Sequence, residues 1–93
     1  MRRRYGSPLT YDGAMPVVFR HRNFRFFFYC NEGNPREPLH IHVQGDGAEA
    51  KFWVRPVCLA HSDGFDARTL RELAAVIETK ADQIERTWND YFA

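Results

Sequence analysis

Apolar and polar residues alternate through Pro38-Leu39-His40-Ile41-His42-Val43, the period of a half-buried β-strand. Leu39, Ile41 and Val43 then share one face, and His40, His42 and Gln44 share the other. Upstream, Val17-Val18-Phe19-Arg20 reads as a first strand, followed by a short polar break at His21-Arg22-Asn23. Phe24 to Cys30 is a second strand, rich in the aromatics that strands favour. Its core face would carry Phe24, Phe26, Phe28 and Cys30, and its other face Arg25, Phe27 and Tyr29. Asn31 to Pro38, with a glycine and two prolines, cannot continue that strand and reads as a loop. After the third strand, Leu39–Gln44, the glycines of Gly45-Asp46-Gly47 permit a tight hairpin turn. Ala48 to Val54 returns as a fourth strand, with Ala48, Ala50, Phe52 and Val54 inward and Glu49, Lys51 and Trp53 outward. Pro56–Ala60 reads as a short extension or edge strand, and His61–Phe65 as a loop. The short connections imply an antiparallel meander of about four strands.

The period changes after Phe65. Leu70, Leu73, Ala74, Ile77, Ala81, Ile84, Trp88 and Tyr91 recur at spacings of three and four, the apolar stripe of an amphipathic helix. Asp66 suits the N-cap, and Phe65 and Leu70 stand where a hydrophobic staple would place them. No glycine or proline interrupts residues 66–93. An unbroken helix of that length would reach roughly 40 Å, whereas the strands reach about 20 Å. The helix must overhang the sheet, bend near Thr79-Lys80, or pack its end on a second copy. A bend or a homodimer contact is expected, because Trp88, Tyr91 and Phe92 are too apolar to stay wet. The expected architecture is a two-layer α+β domain over residues 15–93, in which a small antiparallel meander is covered on one face by a long C-terminal amphipathic helix. Residues 1–14, with three consecutive arginines and little periodicity, read as a flexible basic tail.

Composition narrows the class. A chain of 93 residues suits one domain, and its 44% hydrophobic and 15% aromatic content fits a folded one. The net charge of +1 creates no global field toward nucleic acid or membrane. Charge is unevenly spread: residues 15–65 hold all four histidines, while residues 66–93 carry six acidic and four basic side chains. Cys30 and Cys58 lack motif spacing and sit in apolar surroundings, which favours buried reduced thiols. No run suits a membrane span, and the opening Met-Arg-Arg-Arg lacks the apolar stretch of a signal peptide, so a cytoplasmic location is expected.

The second face of the sheet gathers Arg25, Phe27, Tyr29, His40, His42, Gln44, Glu49, Lys51 and Trp53, and is expected to be open. Four readings compete. His40 and His42, two apart on a strand, could hold a zinc ion with a third ligand from Glu49, His61 or Cys58. The plain alternative is a solvated pair, and no cofactor is expected. The same histidines, with Lys51, Arg25 and Tyr29, could cleave RNA without a metal: one base, one acid and a cation for the phosphate. Nothing in the sequence sets their distances, and the plain alternative is an ordinary polar sheet face. Aromatics interleaved with cations also suit a nucleic-acid stacking platform, although the small net charge argues against strong binding. Finally, Phe27, Tyr29 and Trp53 could form the centre of a protein interface, which needs the fewest special assumptions; burial of Trp53 under the Pro56 segment is the competing reading.

Several of these segments together resemble a known family. Phe26-Phe27-Phe28-Tyr29, Asn31-Glu32, Pro38 to Val43, Ala50-Lys51-Phe52-Trp53 and a final helix with Trp88 and Phe92 are similar to the bacterial family catalogued as domain of unknown function 4160. The resemblance covers Met15 to Ala93, and its most specific parts are the His-x-His-Val core and the Ala-Lys-Phe-Trp strand. One departure is Leu39, where the family often has proline before the first histidine. The resemblance implies a small bacterial protein with no assigned activity. It also implies a gene neighbour of domain of unknown function 2442, an arrangement that looks like a toxin–antitoxin pair. The leading expectation is therefore a non-enzymatic partner-binding module, with a ribonuclease toxin or a nucleic-acid-binding regulator as alternatives.

Overall fold

The computed structural model describes residues 10–12, 15–29 and 37–92, with side chains from Val17 onward. In chain order the elements are β1 (Thr10–Asp12), β2 (Met15–His21), β3 (Phe24–Phe27), β4 (His40–Gly45), β5 (Ala48–Val54), β6 (Val57–Asp63), α1 (Ala67–Thr79) and α2 (Ala81–Phe92). Each strand pairs antiparallel with the next, giving one six-stranded meander. The expected α+β class stands, with more strands than expected and a divided helix. Thr10–Asp12, inside the stretch read as a tail, pairs with β2. His61, Ser62 and Asp63, read as loop, belong to β6 because pairing with β5 overrides their turn-like composition. Residues 1–9, 13–14, 30–36 and 93 lie outside the described residues, and with them Cys30 and most of the stretch expected as a loop.

The turns fix the pairing. Asp46 (φ 55°) and Gly47 (φ 76°) both take the left-handed conformation that a two-residue hairpin of matching twist requires. Gly45, opposite Ala48, serves a different need. A Cβ there would lie 2.6 Å from Phe24 Cδ1 and 2.9 Å from the Asn23 carbonyl oxygen. The β2–β3 turn thus rests against β4, and the Asn23 side-chain amide donates to Asp46. The β5–β6 turn is Arg55-Pro56, joined by a cis peptide bond.

One face of the sheet forms the main core. Phe24, Phe26, Phe28, Ile41, Val43, Ala50, Phe52 and Val54 pack against Leu73, Ile77, Ala81, Ile84 and Trp88 of the helices. Asp66 caps α1 as expected: its carboxylate accepts the Thr69 N–H at 2.8 Å, and that bond holds its pKa below the ordinary value. Phe65 and Leu70 both pack onto the core, as a staple requires. The helical layer bends at Lys80 without glycine or proline. Thr79 Oγ1 donates to the Val76 carbonyl at 2.8 Å, competing for a helical acceptor, while the Lys80 N–H is shared between Val76 and Ile77 at 3.1 Å. The Lys80 carbonyl then accepts from Ile84 at 2.9 Å and starts α2. The bend brings Trp88 edge-on to Phe28, ring centroids 5.0 Å apart, and buries it within its own chain.

Two ion clusters tie the helices to opposite ends of the sheet. Glu72 of α1 accepts from His21 Nε2 at 3.0 Å and from Arg22 Nη1 at 2.9 Å. Arg55 donates to Asp82 at 2.7 Å and to Glu85 at 3.0 Å, both on α2. Hydrogen bonds from His21, then Arg22, hold the Glu72 pKa below its ordinary value; the Arg55 bond does the same for Asp82.

Gly45→Ala should lower unfolding free energy by about 1–3 kcal/mol, since the Asn23 carbonyl and Phe24 must move. Urea denaturation checks this, and a neutral effect would show that the two turns are not in contact. For Glu72 the folded pKa lies below the unfolded one. Its stabilisation is therefore present above the ordinary carboxylate range and is lost as pH falls through the lowered value. Glu72→Gln should reduce the melting temperature at neutral pH, with the gap to wild type closing in acid. Thermal melts across that range test it, and a gap independent of pH would remove the ion cluster as its cause.

Candidate functional site

The strand register sets three rows across the second face. Arg25, Gln44, Glu49 and Asp63 stand opposite one another in turn. So do Phe27, His42, Lys51 and His61, with Val17 beyond Phe27. His40, Trp53 and Cys58 form the third row. Tyr29, just past β3, joins them: its hydroxyl donates to Glu49 Oε2 at 2.9 Å and its ring meets His42 edge-on at 4.6 Å. The structure therefore brings the residues grouped by alternation onto one face.

That face is not open as alternation suggests. Phe27 is 1%, His40 0% and His42 8% exposed. Phe27 stacks on His42 at 5.5 Å, and His40 meets His42 edge-on at 5.1 Å. His40 also touches Trp53 at 5.8 Å and Trp88 at 5.1 Å. Trp88 belongs to the helical layer, so His40 is where the packing of the two faces meets. His40 Nδ1 donates to the Pro38 carbonyl at 2.9 Å, which fixes the ring. Glu37 Oε1 lies 3.8 Å from that nitrogen and 3.7 Å from Lys51 Nζ. The Lys51 ammonium sits 4.6 Å from the centre of the Trp53 ring. Trp53 is half-buried.

This arrangement limits the chemistry. A general acid or base must reach its substrate. His40 has no exposed surface, and one of its nitrogens is engaged by a backbone carbonyl. Of the three candidate third metal ligands, Glu49 accepts from Tyr29, His61 lies two strands from His42, and Cys58 stands beyond Trp53. Among the described residues no group of three or more His, Cys, Asp or Glu side chains is placed to share an ion. Cys58 is exposed, not a buried thiol, because β6 ends the sheet order.

Among the described residues, two hollows on the second face reach β6 near its ends, one at Cys58 and one at Asp63. One, of about 350 Å³, is mostly apolar and lined by Pro38, Leu39, Trp53, Pro56 and Cys58 with Arg55. The other, of about 430 Å³, lies between the Asp46-Gly47 turn and the side chains of Arg25, Gln44, Glu49 and Asp63. Between them, Cys58, Leu59, Ala60 and His61 are exposed on the edge, Leu59 to 42%. The sequence reading of Pro56–Ala60 as a short extension or edge strand covers the first part of this edge, which continues to Asp63. Its signal was the run Val57-Cys58-Leu59-Ala60, apolar and free of lysine or proline.

The family model described as "Domain of unknown function (DUF4160)" matches residues 23–89. The chain belongs to this family. The match runs from the β2–β3 turn through most of α2, so it contains the histidine face and both hollows of this DUF4160 domain. No curated protein and no solved structure matches the chain. Among the described residues no helix is long and apolar enough to cross a membrane.

Burial makes the first histidine of the pair a packing residue as well as a polar one. His40→Ala should lower unfolding free energy by about 2–4 kcal/mol, the scale of a large-to-small core substitution. A surface histidine would change it by no more than about 0.5 kcal/mol. Chemical denaturation of the variant decides between the two.

Proposed function

We propose that this DUF4160 domain is a protein-interaction module of a toxin–antitoxin-like gene pair, acting in the bacterial cytoplasm on the small product of the neighbouring gene. The observation that carries this reading is the edge strand β6. It offers a row of backbone groups beside exposed Cys58, Leu59 and Ala60, with an apolar hollow at one end and a charged one at the other. Interfaces favour an apolar centre within a polar rim, and exposed sheet edges are templates for pairing with another chain. The gene-pair resemblance points in the same direction. The burial of His40 and His42 weighs against a ribonuclease, since neither ring presents much surface to a phosphate. The net charge of +1 weighs against nucleic acid as the main partner.

Co-expression with the neighbouring gene product should give a complex that survives size-exclusion chromatography. Separate elution of the two proteins would count decisively against the module. Growth arrest on expressing the domain alone, with RNA cleavage lost in His42→Ala but not in a folded Lys80→Ala control, would favour the ribonuclease instead.

A further inference from the structure

We propose that β6 is the docking edge for an extended segment of a partner protein, which adds antiparallel to Val57–Asp63 with a basic side chain in the Glu49–Asp63 hollow and an apolar side chain in the Trp53 hollow. This rests on the reading of the domain as an interaction module and names the chemistry of the partner.

The edge itself is the first argument. β6 ends the sheet order and pairs with β5 alone among the described strands. Edge strands commonly carry lysine or proline against unwanted pairing, and Val57–Asp63 holds neither. It does hold one irregularity. The register shifts between Lys51 and Phe52, which leaves Ala60 as an extra residue in β6. A bulge of this kind bends the edge and interrupts the ladder. Pairing is thereby divided into two short arms, Val57–Leu59 and His61–Asp63. Backbone bonds over so short a run discriminate poorly, so selectivity falls to the side-chain hollows beside each arm.

The hollows differ in chemistry. Beside the first arm, Trp53, Cys58, Leu39 and two prolines make an apolar recess. Beside the second, the carboxylates of Glu49 and Asp63 outnumber the Arg25 guanidinium, while Asp46 is bonded to Asn23. Trp53 and Glu49 are four residues apart on β5, on one face, a span of about 13 Å. An antiparallel partner strand meets the Asp63 end first. It therefore reads, from its N-terminus, basic-x-x-x-apolar.

A second copy of this chain does not fit. Antiparallel pairing of β6 with itself about a twofold axis sets Asp63 of one copy against Val57 of the other. The acidic end of each copy would then face the apolar recess of the other, and both hollows would be mismatched. A distinct chain with complementary ends satisfies both.

The test uses a panel of labelled nine-residue-scale peptides of alternating Thr and Val carrying Lys-x-x-x-Phe, and a matched panel with Glu for Lys, titrated by fluorescence polarisation. The Lys panel should bind the wild-type chain about tenfold or more tightly than the Glu panel. Asp63→Lys, at an exposed position, should reverse that order, and Leu59→Lys should weaken both. Equal binding of the two panels, or an order unchanged in Asp63→Lys, overturns the proposal. Self-association of the free domain that disappears in Leu59→Lys overturns it in favour of a second copy. A complex with the neighbouring gene product that forms undiminished with Asp63→Lys and Leu59→Lys overturns the β6 site and leaves the interaction module standing. Failure of that complex with the wild-type chain overturns the module itself.

Discussion

The register between β4 and β5 decides which side chains meet the helices, and the rest of the molecule follows from it. Six residue pairs run from His40–Trp53 to Gly45–Ala48, closed by the left-handed pair Asp46 and Gly47. Side chains alternate along a strand, so a slip of one residue would exchange the faces. With β4 in place, Ala50 and Phe52 of β5 would leave the helical layer, and Lys51 and Trp53 would enter it. The missing side chain at Gly45 supports the same register by letting the β2–β3 turn close over the end of the strand.

The sheet does not simply divide core from solvent. Its helical face is a phenylalanine-rich core, and its second face is a smaller aromatic layer in which Phe27, Tyr29 and His42 pack on one another. His40 joins the two through Trp53 on one side and Trp88 on the other. A buried imidazole needs hydrogen bonding, and the Pro38 carbonyl supplies one bond at the point where the chain enters β4. The His-x-His pair, the most conspicuous chemical feature of the chain, therefore contributes to packing. The surface left for recognition moves outward, toward Trp53 and the last strand.

Attachment of the helices explains why that strand remains accessible. α1 is held to the β2–β3 turn through Glu72, and α2 to the β5–β6 turn through Arg55. With the bend at Lys80, both helices stay on the core face. The outer edge of β6 is left to solvent, where Leu59 is exposed in a chain that buries most of its other large apolar residues.

Much of this was legible in the residues. The alternation of Leu39–Gln44 and Ala48–Val54, the turn between them, the Asp66 cap and the Phe65–Leu70 staple are local signals, each carried by residues a few positions apart. Length left an overhang, a bend near Thr79-Lys80 or contact with a second copy open, and the division between α1 and α2 falls at Lys80. Periodicity sorts side chains onto faces, and it did so correctly for Arg25, Phe27, His40, His42, Lys51 and Trp53. It cannot say what covers a face. His40 is covered by Trp88 from the last helix, and His42 by Phe27 and Tyr29 from β3 and the residues just past it, contacts between segments far apart in sequence. Nor can it say which strand ends the sheet. Cys58, expected to be buried from its apolar neighbours, is at the surface because pairing order, a property of the whole fold, placed β6 at the edge.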